Sequence, residues 1–245
     1  MKNFSTVIVA ALRDEMAKFL PKVTVATATR QGSFSIIEGE FNGKGLLIVL
    51  TGIGRAAVDA AMTSLFDRYA PALIVSTGYA GAAQPQLSSG ALVIANEVKE
   101  FSNGTGSVIA CDPALVERAQ KLSKNGIVGP LVTVREPLVT AHDKGICGAK
   151  AGAIAIDMES AAVARGAKKR GIPFLVVRAI FDPLLAELPP PESFLNEARS
   201  IAPFRILCYL VTNPQKLLEV PKFLGYRRAA QEAIDQFLEL FLKRE

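Results

Sequence analysis

The sequence predicts a single α/β domain, a central mixed and twisted sheet flanked by helices, with a helical extension at its C-terminus. Three observations lead there. Short β-branched runs alternate with helix-compatible stretches along most of the 245 residues, as they do where strands and helices take turns. Half of the residues are hydrophobic, aromatics make up only 7% and tryptophan is absent, a composition rich in Ala and Gly that suits helices packed closely on a buried sheet. After Pro189-Pro190-Pro191 the texture changes to apolar helical stretches broken by proline. The expected division is 1–188 for the α/β body and 189–245 for an extension packed on the same domain.

The elements follow in order. Thr6–Leu12 is a first strand, and Asp14–Leu20 a short helix. Strands are expected at Val23–Thr29, Ser33–Phe41 and Gly45–Thr51, separated by Gln31-Gly32 and Asn42-Gly43; Asn-Gly between alternating runs marks a tight hairpin. Gly52-Ile53-Gly54 opens an Ala-rich helix, Arg55–Tyr69. Ala72–Thr77 reads as a buried strand ending in Gly78-Tyr79-Ala80-Gly81, and Gly90–Val98 as another. Helix Pro113–Lys124, strand Gly126–Val134, helix Thr140–Lys150 and strand Ala153–Ile156 come next. Helix Asp157–Arg170 then leads to strand Pro173–Ile180, which runs into Phe181-Asp182-Pro183. In the extension, Phe194–Val211, Gln215–Leu218 and Arg227–Leu242 are helix-compatible, interrupted by Pro203, Pro214 and Pro221.

Composition narrows the chemistry. The three cysteines, Cys111, Cys147 and Cys208, are widely spaced, which suits neither a disulfide framework nor a structural zinc site. His142 is the only histidine, and Thr140-Ala141-His142-Asp143 reads as a surface helix start. Acid–base work therefore falls to carboxylates, and no metal is expected. No stretch has the roughly 18 consecutive apolar residues of a transmembrane helix, and nothing resembles a signal peptide; a cytoplasmic protein is the expectation.

The net charge of +5 is localised. Between Arg199 and Arg228 lie six basic residues (Arg199, Arg205, Lys216, Lys222, Arg227 and Arg228) and one acid, Glu219, so this segment carries the whole excess. Phe204, Ile206, Leu207, Tyr209, Leu210, Leu217, Leu218, Phe223, Leu224 and Tyr226 are interleaved with the cations. Basic and apolar residues together suit peripheral contact with anionic lipid; a helical cap or a subunit interface is the plainer reading. No nucleic-acid motif accompanies the pI of 9.2.

Polar residues stand at the C-terminal ends of three expected strands, in Ala10-Ala11-Leu12-Arg13-Asp14-Glu15, Ser76-Thr77-Gly78-Tyr79-Ala80-Gly81 and Arg178-Ala179-Ile180-Phe181-Asp182. Ligands bind at such ends in open α/β sheets. A fourth element, Ile156-Asp157-Met158-Glu159-Ser160, passes from strand to helix. Singly, each has a plain explanation. Asp-Pro after a strand makes a turn, acids at a helix start complement its dipole, and a methionine packs a core.

Together and in order these segments resemble the nucleoside phosphorylase and nucleosidase superfamily, over roughly Val7 to Asp182. Asp157-Met158-Glu159-Ser160-Ala161-Ala162 and Val177-Arg178-Ala179-Ile180-Phe181-Asp182 are the most specific landmarks. The resemblance implies cleavage of the bond between a purine and its ribose. It assigns Asp182 to protonate the leaving base near N7, Glu159 to hold the ribose hydroxyls, and Glu15 to position an attacking water. Met158 would pack on the sugar, with Asp157, Ser76, Tyr79, Ala80, Gly81, Leu138 and Val139 completing the substrate pocket.

Family members divide between hydrolysis and phosphorolysis. Hexameric phosphorylases place an arginine where this chain has Ser76. Arg13, Gly54 and Arg55 remain candidates for binding an anion, which leaves inorganic phosphate open as a co-substrate; no other cofactor is expected. Thr133–Thr140, Asp157–Ala164, and Phe181-Asp182-Pro183 followed by Leu188-Pro189-Pro190 resemble more narrowly the hopanoid-associated phosphorylases, which implies an adenosyl-hopane lipid as substrate. Phe181 departs from the serine commoner there. The alternatives are a methylthioadenosine/adenosylhomocysteine nucleosidase and a binding protein that has lost turnover. A homo-oligomer is implied by the resemblance alone.

Overall fold

A computed structural model of the chain describes residues 2–100, 106–193, 209 and 212–243. Strands β1 (Lys2–Ala10), β2 (Thr24–Gln31), β3 (Phe34–Phe41), β4 (Lys44–Leu50), β5 (Tyr69–Ala82), β6 (Leu92–Glu100), β7 (Ser107–Ala110), β8 (Ile127–Thr133), β9 (Ala155–Asp157) and β10 (Phe174–Asp182) join in one ten-stranded mixed sheet. The helices are α1 (Arg55–Arg68), α2 (Pro113–Leu122), α3 (Ala141–Ala151), α4 (Ser160–Lys169) and α5 (Val220–Lys243).

β2, β3 and β4 form an antiparallel meander. Asn42 and Gly43 make the β3–β4 turn, both with positive φ (53° and 75°), as a two-residue hairpin of matching twist requires. β4 pairs parallel with β1, and β1 with β5. β5 then serves three neighbours along its 14 residues: β1 near its start, β10 through its middle, and β9 at Gly81 and Ala82. Because β10 continues to β6, β6 to β8 and β8 to β9, the strands β5, β10, β6, β8 and β9 close on themselves. Closure pairs their backbone groups and removes the sheet edge on that side. At the other end β2 is an exposed edge strand.

Central strands are buried on both faces, which their unbroken apolar runs require. Val7 to Ala10, Leu46 to Leu50 and Phe174 to Ile180 are all buried, Arg178 included. α5 closes the same core: Ala230, Ile234, Phe237, Leu238, Phe241 and Leu242 are buried in one cluster with the strand residues.

Several expectations are corrected. Asp14–Leu20 is not an α-helix. Its hydrogen bonds run mostly to the third residue back (Glu15 N to Leu12 O, Met16 N to Arg13 O, Ala17 N to Asp14 O), so the chain makes tight turns ending in the 3-10 turn Leu20–Lys22. Gly78-Tyr79-Ala80-Gly81 continues β5 instead of leaving it, since β10 pairs with it through Gly81. α4 starts at Ser160, three residues later than the pattern implies. β7 had no clear signal, being four residues long. α5 begins at Val220, with Pro221 in its first turn, where a missing N–H costs nothing. The expected helix Phe194–Val211 lies outside the described residues apart from Tyr209, as do Arg199, Arg205 and Cys208.

Candidate functional site

The ends of β1, β5 and β10 and the start of α4 bring the acids into one region, and each is held by a specific backbone feature. Glu15 sits in the tight turn after β1 and is buried. Its Oε2 accepts the Leu12 N–H at 2.8 Å and its Oε1 the Tyr79 N–H at 2.9 Å. That approach to β5 depends on Gly78: a Cβ there would stand 2.6 Å from Oε1, and the residue has φ 148°. Burial raises the Glu15 pKa above the usual carboxylate range, against the pull of those N–H groups and of Arg178.

Glu159 is the residue preceding α4 and makes no capping bond to its own helix. Its Oε1 instead accepts the Gly54 N–H at 2.8 Å. Gly54 begins α1 with φ 87°, so the Gly-x-Gly turn aims a helix-start N–H at a carboxylate. The pKa of Glu159 is raised, first by burial and then by the charges of Asp157 and Glu15. Like charges close together cannot all ionise freely, and Arg178 works against that repulsion at both glutamates.

Asp182 ends β10, its carboxyl packed over Gly81 of β5; a Cβ at Gly81 would lie 3.1 Å from Oδ2. Burial pushes its pKa up to about 6, although Lys144 pulls it down. Lys144 Nζ donates to Asp182 Oδ2 at 2.8 Å. A carboxyl of this kind exchanges a proton near neutral pH, the condition for general acid catalysis.

The remaining expected residues fall into distinct places. Ser76 Oγ accepts from Arg178 at 3.0 Å. Asp157 is buried and satisfied within the protein: it accepts from Arg178 Nε at 2.8 Å, from Thr133 Oγ1 at 2.7 Å, and from the Ser160 N–H and hydroxyl. It braces the arginine and the start of α4, a different place from the substrate contact expected of it. The Tyr79 backbone holds Glu15, while its hydroxyl donates to Asp14 Oδ2 at 2.9 Å and its ring lies 5.4 Å from that of Phe181. Ala80 is buried opposite Ile180. Met158 is half-buried beside Glu159, and Leu138 and Val139 lie in the segment between β8 and α3, where the Val139 carbonyl accepts the Leu188 N–H.

Two of the three candidate anion binders are engaged elsewhere. The Gly54 N–H is taken by Glu159. Arg55 donates to Glu100 at 2.9 Å and to Asp59 at 3.4 Å, so its charge is already met. Arg13 is exposed and lines a groove with Asp14, Pro21 and Val25 that contains none of the three carboxylates. His142 is exposed. Among the described residues no group of His, Cys, Asp or Glu is arranged to hold a metal ion.

Two site residues were absent from the expected set. Arg178 is part of the strand motif, and a charged residue inside the apolar run Phe174–Ile180 is itself a signal, since it is buried only if paired. Lys144 carries almost none: it and Gly148 are the buried positions of α3, and nothing in the local pattern distinguishes it from a surface lysine.

A family model described as the phosphorylase superfamily matches residues 5–203. The 5′-methylthioadenosine/S-adenosylhomocysteine nucleosidase of Actinobacillus succinogenes is 31% identical over 198 residues, covering 71% of this chain and 84% of that one. The corresponding nucleosidase of Shewanella putrefaciens is 29% identical over 194 residues with the same coverage. In fold, the chain is similar over its whole length to the Neisseria meningitidis nucleosidase of that name, solved with methylthio-immucillin-A (TM-score 0.76, 19% identity, 100% of both chains). It is similar also to the futalosine hydrolase of Helicobacter pylori (TM-score 0.74, 17% identity, 99% of this chain and 98% of that one).

Proposed function

The chain belongs to the phosphorylase superfamily, and from that membership we infer that it is an enzyme cleaving the N-glycosidic bond of an adenine-type nucleoside. The observation that carries the reading is the convergence of three carboxyls, Glu15 and Asp182 buried and Glu159 held by the Gly54 N–H, at the strand ends and the start of α4. Asp182 gives its proton to the departing base, which leaves neutral. Glu159 holds the ribose hydroxyls, and its carboxylate form is favoured as positive charge grows on the sugar. Glu15 takes a proton from the water that attacks C1′. The balance is one water consumed, with free base and free sugar released, and the proton gained at Glu15 replaces through solvent the one lost at Asp182.

Water is the proposed nucleophile. The named relatives are nucleosidases, Gly54 and Arg55 are taken by Glu159, Glu100 and Asp59, and Arg13 lines a groove that holds none of the three carboxyls. 5′-Methylthioadenosine is the first substrate to test. An adenosyl lipid is the second, favoured by Leu217 and Leu218, which are 52% and 85% exposed beside Lys216 and Lys222. Adenine release is measured with and without inorganic phosphate, for the wild type and Asp182→Asn. Expected are phosphate-independent turnover yielding free sugar, and a loss of about 10²–10⁴-fold in the variant with nucleoside binding retained. Tight binding without turnover in the wild type would instead mark a binding protein.

A further inference from the structure

We propose that Lys144 is a positioning residue for Asp182: it grips one carboxyl oxygen, leaves the other for the base, and tunes how readily the proton is given up. The proposal rests on the reading of Asp182 as proton donor. Lys144 is among the largest fully buried side chains of the molecule, only 1% exposed. Its Nζ donates to three oxygens, Asp182 Oδ2 at 2.8 Å, Pro183 O at 2.9 Å and Ala186 O at 2.7 Å. An ammonium has three donors and accepts nothing, so none is left to touch a ligand, and the lysine acts only through its neighbours.

Those neighbours are significant in two ways. The carbonyls belong to the segment that leaves β10 immediately after Asp182, so one cation ties that segment and the carboxyl to α3. The carboxyl is thereby fixed against rotation, and positioning of that kind is worth large factors in rate. Chemically, donating the proton leaves a carboxylate in a buried place, which is costly unless a cation stands beside it. The charge facing Asp182 is that of Lys144 from α3; β5 contributes the uncharged Gly81, and β10 the Asp182 N–H. Lys144 therefore makes Asp182 a stronger acid than burial alone would.

The test is kcat/KM for adenine release from 5′-methylthioadenosine as a function of pH, in wild type, Lys144→Met and Lys144→Gln, with folding checked by circular dichroism. Without the cation the carboxyl holds its proton to higher pH. The alkaline limb of the profile is expected to move up by about 1–3 pH units. Below that limb kcat is expected to fall about tenfold or more, because a weaker acid is a poorer donor. A folded variant of reduced activity whose limb stays at the wild-type pH would overturn the proposal, since a purely structural lysine would give that result. Should neither variant fold, 15N NMR of lysine-labelled wild type decides, with Lys144 assigned by its displacement in Asp182→Asn. Its resonance is expected to shift where the limb lies, and no shift there overturns the proposal. Wild-type turnover in Asp182→Asn would sink the donor reading itself, a result distinct from either.

Discussion

Gly78 marks how little space separates β5 from the Glu15 carboxylate. Replacing it by alanine puts a Cβ within 2.6 Å of Oε1 at a residue with φ 148°, so both steric room and backbone conformation oppose the change. Gly78→Ala is expected to displace Glu15 and lower kcat/KM about a hundredfold, the order of effect for a misplacement near 1 Å. Steady-state kinetics check this, and unchanged kinetics would remove Glu15 from the mechanism. Asp182 makes a second prediction, one of sign. Burial raises its pKa from 3.8 to about 6, and the proposed role as proton donor uses the protonated form. Above that pKa kcat/KM should therefore fall about tenfold per pH unit, read as the alkaline limb of its profile. A flat profile through that region would show that another group is the acid. The three carboxylates were legible in the sequence because each belongs to a motif; their partners Arg178 and Lys144 were not placed, because pairing between Lys144 and Asp182 spans 38 residues.

At the scale of elements, α5 is a structural part of the body. Arg227 pairs with Asp14, and Gln231 Nε2 donates to the Asp14 carbonyl at 2.8 Å, so the helix braces the turn that carries Glu15. Its inner face buries Phe237 and Phe241, whose rings lie 5.4 Å apart. Phe237→Ala is expected to cost about 3–5 kcal/mol, the range for emptying a buried aromatic site. A lowered Tm and denaturation midpoint would register it, and a change under 1 kcal/mol, small beside about 3–5, would mean that α5 is a loosely attached cap. The existence of this helix was legible from its apolar spacing, while its start was not, because Pro221 reads as a break unless the first turn is known to fall there. Asp14–Leu20 misled for the opposite reason. Its composition is helical, but the turn must bend so that Glu15 can reach the Leu12 and Tyr79 N–H groups.

For the molecule as a whole, charge and exposure pose the question of membrane contact. No helix of the described residues is long and apolar enough to cross a membrane. Leu217, Leu218 and Leu224 are more than half exposed on the basic segment. Some of its cations are already paired, Lys216 with Glu219, Arg227 with Asp14 and Arg228 with Glu232, although such exposed pairs are worth little. The double variant Leu217→Ser/Leu218→Ser is expected to lose most of the binding to vesicles containing anionic lipid, with the Tm unchanged. Equal sedimentation of wild type and variant with those vesicles would rule that surface out.

By itself the sequence determined the α/β class, the order of most elements and the family, and it proposed the three carboxyls, because these depend on local periodicity and on motifs that are contiguous in the chain. Only the tertiary structure decided what surrounds those carboxyls. The β10–β5 pairing sets Asp182 over Gly81, and the starts of α1 and α4 and the turn after β1 set Glu159 against Gly54 and Glu15 against β5. Folding also pairs Asp157 with Arg178 and Arg55 with Glu100. Proton affinity and charge pairing depend on burial and on separations of a few ångströms across distant segments, and no local pattern encodes them.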